Sequence, residues 1–287
     1  MNKNFHIARK RFGQNFLQDV AIIQNIVDAL NCVGDENIIC EIGPGLGALT
    51  LPLLQKFKKI NVIEIDKDLI YKLKNDNPFK AYFENNHLII HEQDALKFEL
   101  ANLISNNQKI HLIGNLPYNI STPLLFRFLQ QINNISEMIF MLQKEVVDRI
   151  IAKANSKDFG RLSVMMQTFF YVEKLFDVPP ESFIPVPKVM SSVIRIIPKN
   201  NYLNIFDNSA KNAEKTEKIF TNLVEKYTFF IKTAFAQKRK TLHNNFKNTE
   251  FDILEKYQEE LNLDFKKVRA ENISIENFIA LFNLSQK

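Results

Sequence analysis

Short apolar runs recur through the first half of the chain, near residues 37–42, 60–65, 88–91 and 110–114. Runs of this length without polar alternation suit parallel strands covered on both faces. Between them lie segments with helical spacing, such as 20–30, 69–73 and 122–131, and residues 48–56 can start a helix with Pro52 in its first turn. The alternation predicts an α/β fold with a mostly parallel, doubly wound sheet. Residues 138–142 add a fifth strand, followed by 144–150, whose apolar spacing fits a helix against the sheet. Two later apolar stretches, 169–176 and 189–197, are expected to close the sheet as an antiparallel pair. The segment between them, 179–187, carries four prolines and is expected to be a loop with Phe183 on it.

Beyond Pro198 the pattern changes. Residues 200–217 are polar, and apolar positions then recur at helical spacing at Ile219, Leu223, Phe230 and Phe235 and again at Ile253, Tyr257 and Leu261. The shift marks a linker, dividing a sheet domain over residues 1–200 from a small C-terminal helical domain over 210–287. A chain of 287 residues with 46% hydrophobic residues can fill both cores. There is no internal repeat.

Candidate chemistry collects at the ends of the strands. Glu41-Ile42-Gly43-Pro44-Gly45-Leu46-Gly47 follows the first apolar run, and glycine there lets the backbone approach a ligand. The second run ends in Glu64, at roughly the 20-residue separation from which a carboxylate reaches ribose hydroxyls. After the third run, Asp94 offers an acceptor for an adenine amine or caps a helix. After the fourth come Asn115-Leu116-Pro117-Tyr118, at the end of a strand where open α/β sheets bind ligands. An adenine amine has its lone pair delocalised into the ring. The side-chain oxygen of Asn115 and the carbonyl of Leu116, each accepting one N6 hydrogen, would favour a pyramidal nitrogen aimed at an electrophilic methyl group. Pro117 stiffens the backbone, and Tyr118 offers a face on which an extruded base stacks. Phe183 is either a second aromatic wall opposite Tyr118 or a plug beneath its loop. Taken alone, Asn-Leu-Pro-Tyr also fits a β-turn. The spacing of Gly43, Gly45 and Ala48 likewise satisfies the dinucleotide-binding pattern, although no histidine or lysine stands near the loop as a proton carrier for a dehydrogenase.

Four blocks together carry a family resemblance: Phe12-Gly13-Gln14-Asn15-Phe16-Leu17, the glycine loop, Asn115-Leu116-Pro117-Tyr118, and Phe183-Ile184-Pro185-Val186-Pro187-Lys188-Val189. In order and content they resemble the ribosomal small-subunit RNA adenine dimethyltransferases. The resemblance implies a Rossmann-like methyltransferase sheet and an enzyme using S-adenosyl-L-methionine to dimethylate N6 of two adjacent adenosines near the 3′ end of small-subunit (16S) ribosomal RNA, coupled to small-subunit maturation. It implies catalytic roles for Asn115, Leu116, Tyr118 and Phe183, and cofactor contacts at Asn15, Leu17, Gly43, Gly45, Glu64, Asp94 and Asn115. The implied partner is the RNA in an immature 30S particle, approached by a monomer, with no DNA. Met190 departs from the family, which more often has a small acidic residue before Ser191-Ser192. Related enzymes act on large-subunit RNA, so a different nucleic acid remains an alternative. So does an assembly factor whose binding outweighs its chemistry, although such a protein is expected to have lost Glu64 or Asn115.

A pI near 9.0 and a net charge of +5 are compatible with a phosphate-rich partner. Basic residues cluster at Arg9-Lys10-Arg11, at Lys56 with Lys58-Lys59, at Lys238-Arg239-Lys240, and at Lys266-Lys267 with Arg269. RNA contact is expected for the first and third, which flank the catalytic entrance in the family's arrangement, and residues 236–242 resemble its C-terminal RNA-facing element. Cys32 and Cys40 read as reduced thiols, Cys40 buried in the first strand. His87 and His91 share a strand face without a carboxylate or cysteine cluster, so no metal is expected. No apolar run nears the ~18 residues that span a bilayer, and the N-terminus lacks an apolar leader, so a cytoplasmic protein without membrane contact is expected.

Overall fold

A computed structural model describes residues 15–32, 37–105, 108–200, 205 and 213–286. In chain order, β1 (Phe16–Leu17) leads to α1 (Val20–Asp28), whose first turn is capped by Asp19, its carboxylate accepting the Ala21 and Ile22 N–H groups. Then follow β2 (Ile38–Ile42), α2 (Thr50–Lys56), β3 (Ile60–Glu64), α3 (Lys67–Asn75), α4 (Phe79–Glu84), β4 (Leu88–Glu92), β5 (Ile110–Asn115), α5 (Ser121–Gln130) and β6 (Ile135–Gln143). After α6 (Lys144–Ile151) and α7 (Arg161–Phe169) come β7 (Phe170–Val178), β8 (Phe183–Ile184) and β9 (Ser191–Pro198).

The main sheet has seven strands in the order β4-β3-β2-β5-β6-β9-β7. The strands from β4 to β6 run parallel, and β9 lies antiparallel to β6 with Met138 opposite Ile196 and Gln143 opposite Ser191. The central strands are apolar because helices cover both faces: Ile39, Val62, Leu112 and Ile139 are all buried. Strand order reverses direction between β2 and β5, and this switch point is where the ends of two neighbouring strands open a crevice. The α/β, doubly wound expectation therefore holds.

The proline-rich segment differs from the expected loop. It contains a 3₁₀ turn at Pro180–Ser182 and then β8, which pairs with β1 through Phe16 opposite Ile184 and Leu17 opposite Phe183. A two-residue strand carries no periodicity, and its partner lies far away in sequence, so local pattern gives no sign of it.

By internal contact the chain divides into two units: residues up to Val147 with Glu173–Ile197, and Asp148–Val172 with Pro198–Lys287. Residues 148–172 thus group with the C-terminal part, whereas the sequence reading draws its boundary near residue 200. The second unit holds α7, α8 (Ala213–Ala234), α9 (Leu242–Phe246) and α10 (Ile275–Ser285). Its core is aromatic. Tyr227 lies 5.1 Å from Phe282 and 6.0 Å from Phe169, centroid to centroid, and its hydroxyl meets Thr168 at 3.1 Å. Phe230 lies 5.0 Å from Phe251. The helical pattern at Ile253, Tyr257 and Leu261 forms only a 3₁₀ segment, Asp252–Tyr257, between left-handed residues Asn248 and Asn262 that turn the chain on either side. Among the described residues no helix is long and apolar enough to cross a membrane.

Candidate active site at the carboxyl ends of the parallel strands

The link from β2 to α2 turns through Gly43 and Gly45 at φ +65° and +58°, conformations that side chains with a Cβ rarely adopt. A hydrogen bond from the Gly43 N–H to the Ile63 carbonyl (2.9 Å) ties the loop to the end of β3. A Cβ on Gly43 would meet no atom within 4 Å, because the residue faces open space. That space is a cavity of about 270 Å³ lined by the loop and by Asn15, Leu17, Glu64, Asp94, Asn115 and Tyr118 among others. On β5, a Cβ at Gly114 would lie 2.6 Å from the Ile42 carbonyl oxygen. Glycine at this position lets β5 approach β2 closely and brings Asn115 beside the loop.

Glu64 ends β3 nearly buried. Its Oε1 accepts the N–H groups of Ile65 (2.8 Å) and Asp66 (2.9 Å). Burial pushes its carboxyl above the usual range, opposed by these bonds and one from the Gly45 N–H. Asp94 follows β4, one oxygen accepting the Leu96 N–H at 3.0 Å. This is the turn geometry of the capping alternative, and the residue also lines the cavity.

Asn115 is the last residue of β5. Its amide nitrogen donates to the Asn15 carbonyl at 3.0 Å, and since a carbonyl only accepts, the Nδ2 end is committed to Asn15 and the oxygen end is left over. Leu116 is buried, its N–H donating to the Met141 carbonyl of β6 (3.1 Å). Its own carbonyl accepts no hydrogen bond among the described residues. Tyr118 is half-buried. Its hydroxyl meets the Ser191 Oγ at 2.8 Å, and Ser121 donates to its carbonyl at 3.2 Å. Burial raises the phenol above its ordinary value and the Ser191 bond partly offsets this.

Asn15, Leu17, Gly43, Gly45, Glu64, Asp94, Asn115, Leu116 and Tyr118 thus line one cavity. Phe183 does not line it: fully buried, it packs with Leu17 and Val193 in the apolar core. Arg9, Lys10 and Arg11 lie outside the described residues. Lys238, Arg239 and Lys240 are exposed after α8, with the Lys238 ammonium donating to the Lys157 carbonyl at 3.0 Å. Away from the cavity, Cys32, His111 and Glu137 bring potential ligand atoms within 4.8 Å of one another. Glu137 is already engaged there, accepting the Asn31 N–H and meeting His111 Nδ1 at 2.9 Å.

Sequence reasoning missed three residues here. Glu41, buried at the end of β2, accepts a hydrogen bond from Thr50 Oγ1 at 2.7 Å. Burial pushes its carboxyl up to about 8, with the Thr50 bond opposing and the nearby Glu64 charge adding to the rise. A carboxylate inside a strand, followed nine residues later by a threonine on a helix, is the signal that could have found the pair. Ser191, the third, is hidden because its partner lies 73 residues away.

A profile of the family described as ribosomal RNA adenine dimethylase matches residues 5–287. The chain is 44% identical over 278 residues to a ribosomal RNA small subunit methyltransferase A from Dechloromonas aromatica, covering 97% of this chain and 98% of that one. Among solved structures it resembles a dimethyladenosine transferase from Plasmodium falciparum, with TM-score 0.70 and 28% identity over 94% of this chain and 98% of that one. It shares its fold with the 23S rRNA methyltransferase ErmE, with TM-score 0.64 and 20% identity over 95% of this chain and the whole of that one.

Proposed function

The chain belongs to the ribosomal RNA adenine dimethylase family, and on that premise we propose that the cavity at the ends of β2, β3 and β5 is the catalytic centre of an S-adenosylmethionine-dependent adenine N6-dimethyltransferase acting on small-subunit ribosomal RNA. The substrate positions are two adjacent adenosines near the 3′ end of that RNA, met in an immature 30S particle by a monomeric enzyme.

The observation that carries the mechanism is the Asn115 amide. Because Asn15 holds its nitrogen end, the oxygen end is preset as an acceptor, one residue from the unused Leu116 carbonyl. Two acceptors in that relation take the two N6 hydrogens of a flipped adenine and draw its nitrogen toward a pyramidal form, at no cost in reorganisation. Tyr118 supplies a stacking face. When bound, S-adenosylmethionine supplies an electrophilic methyl on a sulfonium. The residues at hand fit that cofactor: glycines whose backbone approaches open space, Glu64 for ribose hydroxyls, Asp94 with one oxygen spare for an adenine amine, and Asn15 and Leu17 in the lining. Transfer would break the sulfonium's carbon–sulfur bond, release a neutral thioether and leave the amine cationic, and the Tyr118 face and the two oxygen acceptors would stabilise that amine until it loses a proton. Phe183 joins this wall only if the packing over it opens. Exposed Lys238, Arg239 and Lys240, together with Arg9, Lys10 and Arg11, are assigned to RNA phosphates.

Incubation with tritiated S-adenosylmethionine and small subunits lacking the modification, naked small-subunit RNA or large subunits tests this reading. Label is expected on adenines of the small-subunit RNA. Label confined to large subunits would overturn the substrate assignment.

A further inference from the structure

We propose that Ser191 is a positioning residue for the reaction: its hydroxyl holds the Tyr118 ring in the orientation that receives the flipped base. The inference rests on reading Tyr118 as the stacking face. Tyr118 is half-buried and lines the cavity, so packing alone leaves it some freedom. The phenol hydroxyl meets Ser191 Oγ at 2.8 Å, and Ser191 is completely buried at the first position of β9. Both ends of this bond are set by one strand. The Leu116 N–H donates to Met141 of β6, fixing the loop that carries Tyr118. Ser191 pairs with Gln143 of β6, and the Lys144 N–H donates to the Met190 carbonyl at 2.9 Å, fixing the start of β9. Met141 and Gln143 are two residues apart on the same strand, so β6 sets the separation between phenol and serine. Ser121, donating to the Tyr118 carbonyl, fixes the backbone of the tyrosine, and Ser191 fixes the far end of its ring. A ring tethered at both ends presents one face to the cavity instead of sampling several.

The test measures single-turnover methyl transfer to small subunits by the wild-type enzyme and by Ser191→Ala, Tyr118→Phe, the double variant and Tyr118→Ala, with S-adenosylmethionine affinity and melting temperature recorded for each. The bond is of a kind whose loss changes an equilibrium by roughly three- to tenfold. Ser191→Ala and Tyr118→Phe are each expected to slow transfer by about that factor, with cofactor affinity unchanged, and the double variant is expected to be no slower than either alone. Multiplying losses in the double variant would overturn the proposal, as would a wild-type rate in Ser191→Ala or a slowing that follows cofactor affinity. If Ser191→Ala fails to fold, Tyr118→Phe decides from the other side of the bond: a wild-type rate overturns the proposal, and a three- to tenfold loss at unchanged cofactor affinity supports it. Failure of the underlying reading looks different, because Tyr118→Ala would then transfer methyl as fast as wild type.

Discussion

Glu41 and Glu137 are both buried carboxylates on the same sheet, one at the carboxyl end of β2 and one near the start of β6, yet their surroundings have little in common. Glu137 accepts the Asn31 N–H at 2.8 Å, meets His111 Nδ1 at 2.9 Å, and lies 3.8 Å from Arg195 Nε. Arg195 in turn bonds Ala29 and pairs with Glu173. Among the described residues Glu41 has the Thr50 hydroxyl as its one hydrogen-bond partner, with a second carboxylate, Glu64, as a charged neighbour. The difference separates a carboxyl met by donors and a guanidinium that the fold supplies from one whose proton is held by burial beside a second carboxylate. At the amino end of the sheet the chain supplies its own counterions. At the carboxyl end the described residues lining the cavity include acceptors and no lysine or arginine, a surrounding suited to a cationic cofactor and a reacting amine.

If that contrast is right, removing Glu137 damages the fold and removing residues at the other end damages only the chemistry. Glu137→Ala leaves the Asn31 N–H and His111 Nδ1 without their buried partner, each such loss costing about 1–3 kcal/mol of stability, while Arg195 keeps Glu173. Urea unfolding reads this directly, and S-adenosylmethionine affinity measured on the folded fraction should not change. A loss of affinity would join the two ends and break the comparison. Asn115→Ala should do the reverse, lowering kcat by about 10²-fold or more, as removal of a preorganised polar group does, with little change in melting temperature. Equal losses in stability and rate would mean that the Asn115–Asn15 bond serves the fold.

The same contrast explains what the sequence disclosed. The parallel sheet is legible because strands buried on both faces must be continuously apolar, and the cavity because Gly43, Gly45, Glu64 and Asn115 stand at their ends. Tyr118 is legible from its local motif. Its partner Ser191 is not, since the contact depends on the register of β9 against β6. The Glu137 network joins Asn31, His111 and Arg195 from distant segments, and no spacing announces it. Within the second unit, Asn248 and Asn262 at positive φ cut short a helix that the apolar pattern alone would continue. Tight turns at asparagine are weaker sequence signals than glycine or proline.

Glu64→Ala probes the ligand side more gently. A charge-assisted bond to ribose hydroxyls is worth about 1.5–3 kcal/mol, so calorimetry should show S-adenosylmethionine affinity falling by roughly ten- to hundredfold in a folded protein. An unchanged dissociation constant would remove Glu64 from the cofactor site and leave the glycine loop without its acidic partner.

The remaining expected effect concerns Glu41 and appears only as a function of pH. Its carboxyl has an ordinary value of 4.5 when exposed and is pushed to about 8 by burial in the folded protein. Between those values the folded chain keeps a proton that the unfolded chain releases, so stability present at low pH is lost progressively as pH rises toward 8 and then levels off. Glu64, raised in the same direction, adds to the slope. Glutamine at position 41 keeps the Thr50 partner and cannot titrate, so Glu41→Gln should remove part of the decline. Melting curves from about pH 5 to about pH 9 should show the wild type falling away from the variant across that window, with a constant gap above it. Parallel curves would mean that Glu41 ionises freely in the folded protein, through a counterion or water reaching it, and that the carboxyl end of the sheet handles its buried charge much as the amino end does.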